Sequence, residues 1–448
     1  MEKITPSWVH PDLVSILMIC FQIILVILFF SVADYVSQRG PAVEQRGIDS
    51  LYSFYLGIHL MVYIGFGYLM TFLRRNGFEA LGYTILLSAI CFQWGILNQA
   101  FWENVHEGAF HEIKLNVLWL VEGDFSAATF LITFGALLGK ATRLQLFLVA
   151  VVEVMIYAFN FYLYTHVFEA IDVGGSVVIH MAGAIFGLGV SYTLFPSNVG
   201  DHPDNTSNYT SDRFSMIGTL ILWLYWPSFN GVFAGDNQDR VAINTVLSLC
   251  GSAVAAFCCS RMFRATRKFE MMDIANATLA GGVAVGSAAD LMIGPGAALL
   301  VGVTGGTVST LGFIYLTPFL ESKFGLTDTC GVINLHGTPG IIGSLAGIIS
   351  IGTSGRSVYG QEFDDIFPQG NDQWKFQLAG LVTSFAIMST TGLLVGFVVK
   401  KLTAFQIRSK EDMYGDHSNF EIETAEYDFI RDVEEKEPLL SKRQISDV

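Results

Sequence analysis

Apolar residues run along this chain in long stretches broken by short polar segments, and the stretches fall in one size class. The pattern predicts helices over 13–33, 51–73, 79–101, 118–139, 144–164, 174–195, 214–234, 241–260, 271–292, 296–317, 330–350 and 375–399. A helix needs about 20 residues to cross a hydrocarbon core of ~30 Å. The reading is therefore an all-α polytopic membrane protein with about twelve transmembrane helices, in which residues 1–401 form one membrane domain. An even number of crossings puts both termini on the same side.

Composition sharpens this picture. The chain is 52% apolar and only 15% charged, with a mean hydropathy of +0.49. A soluble domain carries about a quarter of its residues as charge, so a soluble enzyme is excluded. On the side shared with the N-terminus the loops hold 15 Lys and Arg, including Lys3, Arg74, Arg75, Lys140 and Arg264; the opposite side holds six, among them Arg39, Arg46 and Lys114. That bias predicts cytoplasmic N- and C-termini. The first apolar run, Leu13 to Val32, lacks a small-x-small cleavage site and reads as a retained helix rather than a signal peptide.

From Leu402 onward 12 Asp and Glu stand against six Lys and Arg. Residues 402–448 are thus expected to be an acidic, weakly ordered cytoplasmic tail, and the acidity excludes nucleic acid as a partner. Within the tail, Glu435-Lys-Glu-Pro-Leu439-Leu440 has the form of an acidic dileucine signal that sorting adaptors read. The sequons at Asn205, Asn208 and Asn276 fall in a cytoplasmic loop and inside a helix, so none is expected to carry sugar. The six cysteines lie in apolar runs or at their ends, which predicts no disulfide framework.

Ionisable residues inside a span are costly and mark sites by default. Two histidines share one setting: Gly175-Ser-Val-Val-Ile-His180, with Gly187 seven residues on, and Gly331-Val-Ile-Asn-Leu-His336, with Gly343 seven residues on. They fall five helices apart, on helices 6 and 11, so their helices run in opposite directions. This is the mark of inverted five-helix repeats, helices 2–6 against 7–11, with a site near the midplane and a pore through the subunit.

Geometry sets a condition. A histidine five residues into a helix is roughly 8 Å from its start, so the two rings meet only if both helices begin well below the membrane surface. Asp172 and Asp328, just ahead of the glycines, suit such sunken, capped starts. Two imidazoles sharing a proton offer a donor and an acceptor without a fixed full charge, which suits a small polar molecule. Alternatives stay open at this point: two ordinary interhelical hydrogen bonds, or a metal-binding enzyme, although no H-E-x-x-H motif or Cys/His cluster is present and neither metal nor cofactor is expected. Glu153 and Asp290, also in spans, read as structural partners for nearby backbone or as proton carriers.

These segments resemble the Rh branch of the ammonium transporter and Rh glycoprotein family. The likeness rests on Asp172-Val-Gly-Gly-Ser-Val-Val-Ile-His180, Ile217-Gly-Thr-Leu-Ile-Leu-Trp-Leu-Tyr-Trp-Pro-Ser-Phe-Asn230 and Asp328-Thr-Cys-Gly-Val-Ile-Asn-Leu-His336-Gly, together with 276–286 and 309–322. The resemblance implies a plasma-membrane homotrimer with one narrow apolar pore per subunit. His180 and His336 would be the facing pore pair, Phe125 and Phe229 a stacked gate on the outer side, Asp172 a support at the mouth, and Asn230 and Asp124 polar neighbours of the gate.

Such a channel would take ammonium at the entrance, strip a proton and pass ammonia. Aromatic faces attract the cation before it loses that proton, and an apolar pore disfavours the charged form. Carbon dioxide as a second permeant and an electrogenic or proton-coupled ammonium transporter are the competing readings. Residues 144–171 contain no Trp, unlike the bacterial and plant branch, and the first outer loop, 34–50, has no Asn to carry the glycan typical of Rh glycoproteins.

Overall fold

The computed structural model describes residues 12–35, 51–405 and 408–422. Among the described residues ten helices are long and apolar enough to cross a membrane: α1 Leu13–Val32, α2 Tyr52–Phe72, α3 Gly77–Glu107, α4 Val117–Leu137, α5 Arg143–Val167, α6 Ser176–Leu194, α8 Gly235–Phe263, α10 Pro295–Phe324, α11 Ile333–Thr353 and α12 Gly370–Leu402. The other two stretches expected to span are helical as well. One, α7, is Tyr209–Gly231, whose first turns hold Asp212 and Arg213 and whose interior holds Pro227.

The other, α9 (271–288), departs from the expected continuous helix. It is broken into Met271–Ala277, Ala280–Val285 and a 3₁₀ turn at Gly286–Ala288. The break falls at Thr278–Leu279; in the second piece Gly282 lets the ring of Trp226 lie against the backbone, where a Cβ would sit 2.6 Å from it. Asp290, expected to close this helix, lies just beyond the 3₁₀ turn.

The central layer is the most deeply buried. Nearly every residue of α6 is covered, as is the second half of α4, so these two helices form the axis around which the others pack. Helix α1 is peripheral and exposes most of its apolar residues. A Gln22–Gln93 side-chain pair at 2.7 Å and edge-on contacts of Phe21 with Trp94 and Phe147 hold it to the bundle. Beyond its end, Ala33–Tyr35 pairs in parallel with Ile113–Leu115.

Within the described part of the tail, residues 408–422 are folded against the bundle. The boundary at 401/402 leaves 408–422 in a segment read as weakly ordered, yet these residues pack on the ends of α3 and α4. The Arg408 guanidinium grips Glu79 through two contacts of 2.6 and 3.1 Å, with both side chains buried. Tyr414 is fully buried, and its N–H donates to the Gly139 carbonyl at 2.7 Å. Its hydroxyl donates to the Val199 carbonyl, so the loop that holds Asn205 and Asn208 shares a face with the tail. Beneath it Lys140 is buried, donating to the Thr327 carbonyl and to Ser191 Oγ; burial pushes its ammonium down to about 7. Charge averaged over the whole tail hides these few anchoring residues. Residues 1–11, 36–50, 406–407 and 423–448, with Arg39, Arg46, Glu435, Leu439 and Leu440, lie outside the described residues.

Asp416 makes the docking pH-dependent. Its carboxylate accepts from the N–H groups of Phe78 and Glu79, capping α3. Burial, helped by the charge of Glu79, raises it to about 6 against the opposing pull of those N–H groups and Arg408. A carboxyl raised on docking binds its proton more tightly docked than free, so its contribution is fully present below the ordinary value of about 4 and is lost as pH rises through 6. Thermal midpoints should therefore fall over that window in the wild type and stay flat in Asp416→Asn. An equally steep fall in both would contradict this assignment.

Candidate functional site

Two matched helix starts build the site. Gly175 and Gly331 both adopt left-handed backbone, with φ of 65° and 70°, a conformation that costs a residue with a Cβ. At Gly175 a Cβ would also meet Ile179 Cδ1 at 2.5 Å. Each start is capped by an aspartate. Asp172 Oδ2 accepts from the N–H groups of Val177 and Val178 at 2.8 and 2.9 Å; the Asp328 oxygens accept from Val332 and Ile333 at 2.9 and 3.0 Å. The first N–H groups of a helix have no partner within it, so a start this deep needs these carboxylates. Ser287 donates its hydroxyl to the other Asp172 oxygen. Ser176 completes the joint, donating to the Val283 carbonyl at 2.7 Å and accepting from Ser287 N–H at 2.8 Å.

Immediately after each start the chain winds as a π-helical turn, Ser176–Met181 and Ile333–Gly337. His180 and His336 sit in these turns. Their Nδ1 atoms lie 3.1 Å apart, and the rings are parallel within 9° with centroids 5.2 Å apart. One Nδ1 donates and the other accepts, so the pair holds one proton between them. The rings meet, as the sequence geometry required. His180 Nε2 has no partner among the described residues.

Aromatic rings close the space around the pair. Trp226 and Phe229 lie 5.7 and 5.4 Å from the His180 ring, and Phe66 stacks 6.0 Å from His336. Phe125 and Phe229 face each other at 4.5 Å, with Phe233 edge-on to Phe125 at 5.6 Å; both faces of the contact are buried. On one side of the Phe pair is a cavity of about 290 Å³, lined by Glu122, Phe125, Asp172, Phe233 and Asp290 among others. On the far side of the histidines a space of about 20 Å³ is lined by Phe66, Leu131, Cys330, Val332 and His336, room for about one water molecule. Phe125 thus joins the larger cavity, the vestibule, to the Phe pair, Phe229 joins the Phe pair to His180, and His336 borders the smaller space. The vestibule lies at the start of α4 and the docked tail at its end, so they occupy opposite ends of the bundle.

The remaining candidates take other positions. Asn230 turns its amide to Thr245 Oγ1 and the Gly282 carbonyl, at 3.0 and 3.1 Å, bracing α7 against α8 and α9. Asp124 is buried and pairs with His59, whose Nδ1 lies 3.0 Å away. Glu153 accepts from the Thr133 hydroxyl at 2.7 Å, linking α5 to α4. Among the described residues no group of three His, Cys, Asp or Glu is arranged to hold a metal.

Sequence reasoning missed His59, Trp226, Phe66, Phe233 and Glu122. A lone histidine or carboxylate at a helix end has no motif around it. The available signal for His59 was its place inside an otherwise apolar span.

Residues 16–427 match the model of the Ammonium Transporter Family. The zebrafish (Danio rerio) ammonium transporter Rh type B is 39% identical over 402 residues, covering 85% of this chain and 87% of that protein. The human (Homo sapiens) ammonium transporter Rh type C is 41% identical over 363 residues, with 78% and 75% covered. Among solved structures, Rh50 of Nitrosomonas europaea superposes with a TM-score of 0.71 at 34% identity, over 89% of this chain and 98% of that one. That family is one of transporters and channels. The chain belongs to the ammonium transporter family, in its Rh branch.

Proposed function

We propose that this protein is a channel for ammonia. Ammonium gathers in the vestibule beside Glu122, Asp172 and Asp290 and meets the face of Phe125. It leaves its proton there and passes the Phe125–Phe229 gate as a neutral molecule. His180 and His336 then take over its hydrogen bonding across the apolar middle. The observation that supports this reading most strongly is the Nδ1–Nδ1 contact of the two histidines at 3.1 Å inside an aromatic enclosure. A shared proton lets the pair donate to and accept from the permeant while no ion is stabilised.

The loop charges support an arrangement in which the tail face is cytoplasmic and the vestibule faces outward. We take the working unit to be a homotrimer in the plasma membrane with one pore per subunit.

The test is reconstitution into liposomes with a pH dye inside. An inward ammonium gradient is expected to alkalinise the lumen rapidly, because ammonia enters and takes up a proton there. Alkalinisation no faster than in protein-free liposomes would refute the proposal. A carbon dioxide gradient in the same vesicles, read as acidification, tests the second permeant.

A further inference from the structure

Passage of neutral ammonia leaves one proton in the vestibule for every molecule conducted, and that proton must return to the outer solution. A polar stripe on α3 leads from the vestibule wall to solvent. Gln99, Glu103 and His106 are spaced i, i+4, i+7 and therefore share one face of the helix. At the vestibule end Gln99 donates to Glu122 Oε2 at 3.3 Å, which leaves Glu122 Oε1 free of that contact. In the middle Glu103 Oε1 lies 3.1 Å from His166 Nε2. At the outer end the His166 and His106 rings stack 4.2 Å apart, with His106 exposed. His166 adjoins Thr165, itself part of the vestibule wall. Two histidines and a carboxylate in contact at the rim of the cavity are groups that can pass a proton by general acid–base exchange.

We propose that Glu122 accepts the proton shed by ammonium and that Glu103, His166 and His106 form the outlet that delivers it to external buffer. This rests on the ammonia-channel reading above. In the first step an N–H bond of ammonium breaks and an O–H bond forms on Glu122, freeing ammonia. In the second the Glu122 proton leaves and an imidazolium N–H forms in the cluster. In the third the imidazolium gives its proton to a buffer base in solution, and Glu122 is again a carboxylate.

The other ionisable groups of the vestibule are Asp172 and Asp290. The Asp172 oxygens are occupied by Val177, Val178 and Ser287, and Asp290 is on the connection after α9, so neither adjoins the stripe.

The experiment compares alkalinisation rates of wild type and H106Q/H166Q in proteoliposomes, at sub-millimolar and at high external buffer. The outlet should matter only when buffer is scarce. A severalfold slower rate in the variant at low buffer, restored to the wild-type rate at high buffer, is the expected result. A rate equally slow at both concentrations would mean the histidines merely fasten α3 to α5, and an unchanged rate at low buffer would mean the proton leaves elsewhere; either overturns the proposal. The single variant His106→Gln, at an exposed site, repeats the comparison if the double variant does not assemble. A wild type with no ammonium-dependent signal would remove the channel reading and this proposal together, whereas a conducting wild type with a buffer-independent variant removes this proposal alone.

Discussion

His336→Ala, and separately His180→Ala, are expected to slow ammonia conduction by roughly 10–100-fold while the protein still assembles. Either change removes one ring from a contact of 3.1 Å in a site walled by Phe66, Trp226 and Phe229. The permeant then crosses the narrowest apolar stretch with a hydrogen bond missing, and a buried unmet group costs about 1–3 kcal/mol. Each ~1.4 kcal/mol added to a barrier is a factor of ten in rate. Because the two imidazoles hold one proton jointly, the double variant should be little slower than either single one. Initial alkalinisation rates in liposomes measure this. Near-wild-type rates in both single variants, or losses that multiply in the double, would show that the rings do not act as a unit.

Asp172→Ala should have the largest effect on stability. The carboxylate accepts from Val177 and Val178 N–H and from the Ser287 hydroxyl, and Val177, Val178 and Ser287 are themselves buried. Deleting it orphans three donors, each worth about 1–3 kcal/mol when buried and unpaired. The expected result is a steep loss of folded protein or a large fall in thermal midpoint. Asp172→Asn keeps one acceptor oxygen and should recover part of it. A wild-type midpoint in the alanine variant would mean that the helix start is held by Ser176 and the α9 backbone instead.

These two variants also mark what was legible in the amino-acid order. The apolar runs placed most of the helices, because lipid imposes a length and a hydropathy that few other structures share. The repeated glycine-x4-histidine spacing singled out His180 and His336, which meet in the structure, because two polar groups in matching apolar surroundings need each other. Asp172 and Asp328 were legible as caps from their position before a glycine.

What escaped depended on contacts between distant segments. Trp226 rests on Gly282, 56 positions away. Asp124 was seen beside Phe125, but its partner His59 comes from another helix and carries no local pattern. Docking of 408–422 turns on Arg408, Tyr414 and Asp416, three residues lost in the average of an acidic tail. The π-helical turns under both histidines leave no periodic trace in so few residues.

The most direct test of the central claim is electrical. The protein in a planar bilayer, with equal pH on both sides and an ammonium gradient across it, should pass no current above background while the same preparation alkalinises liposomes. A current that reverses at the ammonium equilibrium potential and disappears in His180→Ala would contradict it, since the permeant would then keep its charge past the paired rings.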